Sequence, residues 1–133
     1  MKRLLLIVLP LLLIIGCSKS ESSLHRELKE MSNTMNKTLP STIDKYTTLF
    51  STLVMSEKSF YYFYGVDENS FVDINMTESE WRKNQVIVLT NFYCEDSSLS
   101  FFKDNNISIT WKYNYIDGSP LTEIEINNND CYN

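Results

Sequence analysis

Between Ile107 and Tyr115 apolar side chains fall on every second residue. Ile107, Ile109, Trp111, Tyr113 and Tyr115 alternate with Ser108, Thr110, Lys112 and Asn114. Neighbouring side chains of a strand point to opposite faces, so this period of two predicts a strand with one buried face. A slip of one residue would turn every ring to solvent. Asn105-Asn106 precedes the strand as a turn pair, because asparagine tolerates the left-handed backbone region. Asp117-Gly118-Ser119-Pro120 then turns the chain into Leu121 to Ile126, where Ile124 and Ile126 alternate with Glu123 and Glu125. These two segments predict a hairpin.

An earlier hairpin is expected from Tyr46 to Val66. Tyr46 to Met55 is rich in Thr, Leu and Val, Ser56-Glu57-Lys58 has turn composition, and Ser59 to Val66 is dense in aromatic residues. In Phe60-Tyr61-Tyr62-Phe63-Tyr64 both pleat faces carry rings, which predicts a central strand with both faces at least partly covered. Two uses stay open for these rings: core packing, or the wall of a binding surface.

Two helices are expected as well. Leu24, Leu28, Met31 and Met35 follow the spacing i, i+4, i+7 and i+11 of one helical face. Ser22 or Ser23 can cap its start, and Pro40 stops it after Lys37. Asp67 to Met76 has no period and reads as a loop. Thr77-Glu78-Ser79-Glu80 is a capping box that opens a helix over Glu78 to Tyr93, although Val86 to Leu89 taken alone also fits a strand. Ser97 to Lys103 suits one short helical turn, and Asn127 to Asp130 is a polar exit. The order helix, hairpin, helix, hairpin predicts an α+β domain of two layers, with helices packed against an antiparallel sheet of about four strands.

The first residues carry a different message. Lys2 and Arg3 precede an apolar run from Leu4 to Ile15, broken at Pro10. A basic start, a short apolar stretch and a small residue at the cut define a secretory signal, whereas a membrane span needs about 20 apolar residues. Ile14-Ile15-Gly16-Cys17 resembles a bacterial lipobox. That resemblance implies a signal peptide over residues 1–16, and a Cys17 that carries diacylglycerol on sulfur and a palmitate-like chain on its amine. Residues 17–23 then form a lipidated tether and residues 24–133 a single periplasmic domain. Ser18 stands where the sorting code of enteric bacteria places an aspartate for inner-membrane retention, so resemblance to that code implies an outer-membrane lipoprotein handed on by the lipoprotein sorting machinery. Loss of Lys2 and Arg3 takes the formal net charge from −5 to −7. Such an acidic balance argues against nucleic acid and against a polybasic hold on anionic lipid. Membrane contact is expected from the acyl chains, at about 0.8 kcal/mol per buried methylene.

With Cys17 lipidated, Cys94 and Cys131 remain. An even pair in an exported chain reads as a structural disulfide. A redox or metal pair fits poorly, since there is no Cys-x-x-Cys and His25 is the only histidine. Catalytic patterns are missing too. The three glycines form no phosphate loop, no nucleophile elbow is present, and Asp67-Glu68-Asn69 and Asn127 to Asp130 lack the spacing of a calcium loop. Glu123 and Glu125 read as a solvated strand face. The sequence thus predicts no enzyme, no cofactor and no metal site.

From Met35 to Cys131 the chain resembles the small lipoprotein pilotins of type II secretion systems. The shared features are a helix ending in Leu39-Pro40, a hairpin, a helix ending in Asn91-Phe92-Tyr93-Cys94, and a last hairpin with Asp117-Gly118 at its turn and Cys131 beyond it. Asn105-Asn106 departs from the pattern, where a glycine is expected before the third strand. The resemblance implies a two-layer α/β domain that binds the C-terminal segment of a secretin subunit and carries it to the outer membrane. The same signature also suits a stand-alone outer-membrane lipoprotein of surface-exclusion or inhibitor type. A peptide can be gripped as a helix in an apolar groove or as a strand added to a sheet edge. The groove is favoured, with Met31, Met35, Phe60, Tyr62 and Tyr64 as candidate contacts, because methionine adapts to varied partners. Those residues also fit a plain core.

Replacing Cys17 by Ser should abolish fatty-acid labelling and leave an unprocessed or soluble chain. Labelling that persisted in this variant would refute the lipobox.

Overall fold

The computed structural model describes residues 21–132. The expected signal segment, Cys17 and the tether as far as residue 20 lie outside the described residues. The first helix, α1 (Ser23–Asn36), is capped by the side chain of Ser22, which accepts from the His25 N–H at 3.1 Å. Next comes a strand of two residues, β1 (Ser41–Thr42), followed by the first hairpin, β2 (Thr47–Ser56) and β3 (Ser59–Val66). The expected loop after it contains one helical turn, α2 (Ser70–Asp73). The second long helix, α3 (Glu78–Glu95), starts at the capping box: Thr77 accepts from the Glu80 N–H, and the Glu80 carboxylate accepts from the Thr77 N–H at 2.9 Å. A 3-10 turn at Ser97–Leu99 leads into α4 (Ser100–Asp104). The last hairpin is β4 (Ser108–Tyr115) and β5 (Pro120–Ile126), and a 3-10 turn over Asn128–Tyr132 follows.

All five strands form one sheet in the order β1-β2-β3-β4-β5. The α+β, two-layer, largely antiparallel expectation holds, with two corrections. The described residues form five strands rather than about four, because β1 is too short to leave a pattern in the sequence. Moreover, β3 and β4 run parallel, with Tyr62 beside Trp111 and Tyr64 beside Tyr113. A parallel pair needs a long crossover, and residues 67–107 supply it as α2, α3 and α4. The two hairpins are therefore the two flanks of a crossover unit. The aromatic strand β3 is third of five, the central place expected for it.

Register decides which residues share a face. Thr52, Tyr62, Trp111 and Ile124 lie in one row across the sheet, and Val54, Phe60, Ile109 and Ile126 in the next. The helices cover this face. Phe102 of α4 meets Phe60 edge-on with ring centroids 5.1 Å apart, and Trp81 of α3 meets Tyr113 edge-on at 5.1 Å. Leu28 of α1 is fully buried. The single polar residue of the Trp111 row, Thr52, is satisfied by Ser32 Oγ of α1 at 2.8 Å. Buried hydroxyls without such partners are costly.

On the opposite face no helix packs among the described residues. Tyr61 and Phe63 stack on each other there and are half-buried, while Phe50 and Leu53 are exposed. Gly65 opens room on this side: a Cβ at that position would collide with the Phe50 ring. Cover for the second face of β3 thus comes from neighbouring strand side chains, not from a second helix layer.

A disulfide joins Cys94, near the end of α3, to Cys131 across 37 residues. It ties the segment after β5 to the helix layer. The double variant Cys94→Ser/Cys131→Ser should lose about 3–4 kcal/mol, the chain-entropy value for a loop of this size. Urea unfolding of the oxidised parent and the variant checks this.

Candidate functional site

The helix-covered face is an aromatic stack built by the β3–β4 register. Tyr62 stacks on Trp111 with centroids 6.0 Å apart, and Tyr64 stacks on Tyr113 at 5.0 Å. In parallel pairing, residues in register lie on one face, so two aromatic strands side by side produce a continuous wall. Each ring pair adds about 0.5–1.5 kcal/mol beyond the area it buries. Burial pushes the Tyr64 phenol up to about 12, and pushes Tyr62 and Tyr113 higher still. The wall is therefore neutral at any physiological pH.

The helices divide this face. α1 lies along β2, whereas α3 packs on β5, α4 and the turn after β5. At the end of the sheet where β2 begins and β3 ends, a cleft of about 270 Å³ opens against Trp81. Tyr46, Thr47, Val66, Ser70 and Ile74 line it with Trp81, and Asp44 and Lys45 stand at its rim. Ser70 is buried, and its hydroxyl has no hydrogen-bond partner among the described residues. At the rim Tyr46 donates to Asp73 Oδ2 at 2.7 Å, and Lys45 lies 3.4 Å from the same oxygen. These two hydrogen bonds, from Tyr46 first and Lys45 second, hold the Asp73 carboxyl below its usual range. Because this cluster is exposed, it fixes α2 against the β1–β2 loop without adding much stability.

The sequence-based candidates fall into two groups. Met31, Met35 and Tyr64 are half-buried and pack against the core while still reaching the surface. Phe60 is fully enclosed and Tyr62 nearly so, at 0% and 9% exposed. The second group forms the floor, out of direct reach of a partner. All five lie on α1 or on the helix-covered side of β3. The cleft residues Tyr46, Ser70 and Ile74 were not expected. Ser70 and Ile74 come from the segment without periodicity and Tyr46 from the start of the first expected hairpin, and only the fold of α2 over the end of β3 brings them to Trp81.

Chemically, this site offers apolar surface and a few hydroxyls. Among the described residues no group of His, Cys, Asp and Glu could hold a metal ion. No helix among them is long and apolar enough to cross a membrane.

No family model and no curated protein matches the chain. In fold it is similar to a secreted protein of Pseudomonas aeruginosa, with a TM-score of 0.72 at 12% identity over 87% of this chain and 99% of that one. It is similar also to EpsS, the pilotin of the Vibrio vulnificus type 2 secretion system, with a TM-score of 0.66 at 11% identity over 83% of this chain and 93% of that one. A third likeness is to AspS, the type II secretion pilotin of Vibrio cholerae, at 10% identity and a TM-score of 0.62, covering 81% of this chain and 92% of that one. At such identities the likeness establishes the fold, a two-layer α+β domain of the kind those pilotins share.

The division of the candidates is measurable. Phe60→Ala should cost about 3–5 kcal/mol in chemical unfolding, as a core aromatic truncation does. Met35→Ala, at a half-buried position, should cost no more than about 2 kcal/mol.

Proposed function

We propose that this chain is a lipid-anchored envelope protein of the pilotin kind, which binds a segment of a secretin subunit and carries it to the outer membrane. The observation that carries this reading is the fold held in common with EpsS and AspS over more than nine-tenths of each pilotin, 93% and 92%. The lipobox at Cys17 supports it from the other end of the chain, since a carrier must itself be sorted. The domain suits a binding role: a neutral aromatic wall with partly exposed methionines beside it. The partner segment would lie as an amphipathic helix between α1 and α3, with apolar anchors on Met31, Met35 and Tyr64 and an end directed to the cleft at Trp81.

A second reading, a stand-alone envelope protein that binds some other protein, is favoured by the likeness to the secreted P. aeruginosa protein, whose TM-score of 0.72 exceeds that of either pilotin. Titration separates the two. The full lipidated chain in detergent is titrated with a synthetic peptide from the C-terminus of a secretin encoded in the same genome. Saturable binding is expected, weakened at least tenfold (about 1.4 kcal/mol) by Met35→Glu or Tyr64→Glu. No binding at millimolar peptide would leave the stand-alone reading.

A further inference from the structure

The two edges of the sheet are finished differently. On one side β1 covers the start of β2, pairing Ser41 with Leu49 and Thr42 with Thr48. Beyond β1 the carboxamide of Asn36 takes over as a surrogate strand. Its Oδ1 accepts from the Thr52 N–H at 2.8 Å, and its Nδ2 donates to the Thr52 carbonyl at 3.0 Å. Short edge strands and side-chain caps of this sort are how natural sheets close an edge. The other edge is β5, seven residues long. Among the described residues, no backbone or side-chain group bonds the outer side of Leu121 to Ile126. Its one proline is at the first position, where it does not interrupt the edge.

A cleft of about 330 Å³ runs along this edge, between Glu123 to Ile126 of β5 and Arg82, Val86 and Thr90 of α3, with Asp130 at one end. Val86 is 40% exposed there. The opposite side of the edge carries Glu123 and Glu125, both exposed. On the inner side, Glu123 already has a basic cross-strand neighbour, Lys112, at 3.9 Å. Among the described residues, neither glutamate forms an ion pair on the outer side.

We propose that the open edge of β5 is a docking strand for an extended segment of another polypeptide, one that alternates lysine or arginine with apolar residues. Added to β5, such a segment places its apolar side chains over Val86 and Thr90, within the cleft. Its basic side chains fall beside Glu123 and Glu125, repeating on the outer side the pairing that Lys112 makes on the inner side. Opposite charges on directly paired strands stabilise and like charges destabilise. That same rule disfavours a second copy of this chain, since antiparallel pairing of two β5 edges brings glutamates together. Main-chain hydrogen bonds supply the hold, and the charges select the partner. This surface is at the far flank of the sheet from α1, and it stands whether or not the partner of the proposed groove is a secretin.

The test uses the full chain in detergent and an acetylated eight-residue peptide of alternating lysine and valine. Its control is the same peptide N-methylated at every residue, which keeps charge and apolar content but cannot donate a main-chain hydrogen bond from either edge. Binding is expected with amide-exchange protection confined to Leu121–Ile126, and at least tenfold weaker for the N-methylated peptide. The Glu123→Lys/Glu125→Lys variant should lose at least tenfold in affinity. Val86→Lys, placed on α3 and outside the strand, should do the same without altering β5. Equal binding by the N-methylated control, protection on α1 instead of β5, undiminished affinity in both variants, or no binding of the lysine–valine peptide would each overturn the proposal. So would a concentration-dependent dimer of the chain that the peptide dissolves, because the edge would then belong to a second copy.

Discussion

The parallel pairing of β3 with β4 is the constraint on which the rest of this domain depends. Each hairpin alone can form locally, but a two-stranded ribbon is at best marginally stable in water. Joining them side by side, in parallel, buries Phe60, Ile109, Trp111 and Tyr113 in one sheet face. The geometry forces the intervening chain to cross from one end of the sheet to the other, so α2, α3 and α4 fall on the same face. Once they do, Phe102 closes over Phe60 and Trp81 over Tyr113. Tyr93 then finds its hydroxyl 2.8 Å from the Ile107 carbonyl, where it donates a hydrogen bond in the core. Burial pushes this phenol up to about 12, so it remains a donor.

The two flanks of that centre have opposite characters. On the β2 side, α1 both buries Leu28 and supplies the polar groups that sheet and helix need from each other: Ser32 for the Thr52 hydroxyl and Asn36 for the Thr52 backbone. A helix that satisfies a sheet edge in this way cannot easily be displaced, since both partners would be left with unpaired polar atoms. The β5 side is held by a covalent tie instead. Cys131 is fixed to Cys94, and the chain between β5 and the disulfide folds into a 3-10 turn in which Asp130 accepts from the Asn127 N–H at 2.8 Å. That arrangement anchors the end of the chain without covering the edge. One flank is thus closed by hydrogen bonds from Thr48 to Thr52, and the other is left able to make them along Leu121 to Ile126.

Much of this was legible in the residues because each long element carries its own signal. The alternation from Ile107 to Tyr115, the stripe Leu24, Leu28, Met31 and Met35, and the capping box at Thr77 report strand, helix face and helix start through local chemistry alone. With Cys17 set aside as the expected lipid-bearing residue, one pairing was left for the other two cysteines, Cys94 with Cys131. By contrast, Ser41–Thr42 has no period to read, and the helical turn Ser70–Asp73 is too short to show one. The direction in which two strands run beside each other is not written in either strand. It follows from the length and path of the chain between them. Tertiary packing likewise decided that Phe60 is floor while Tyr64 reaches the surface, although both belong to the same aromatic run. It also decided that Asn36 seals a strand edge and that Glu123 and Glu125 border an open one. Sequence determines which surfaces a segment can bury, because side-chain periodicity is local; which of them are left uncovered depends on where distant segments come to rest.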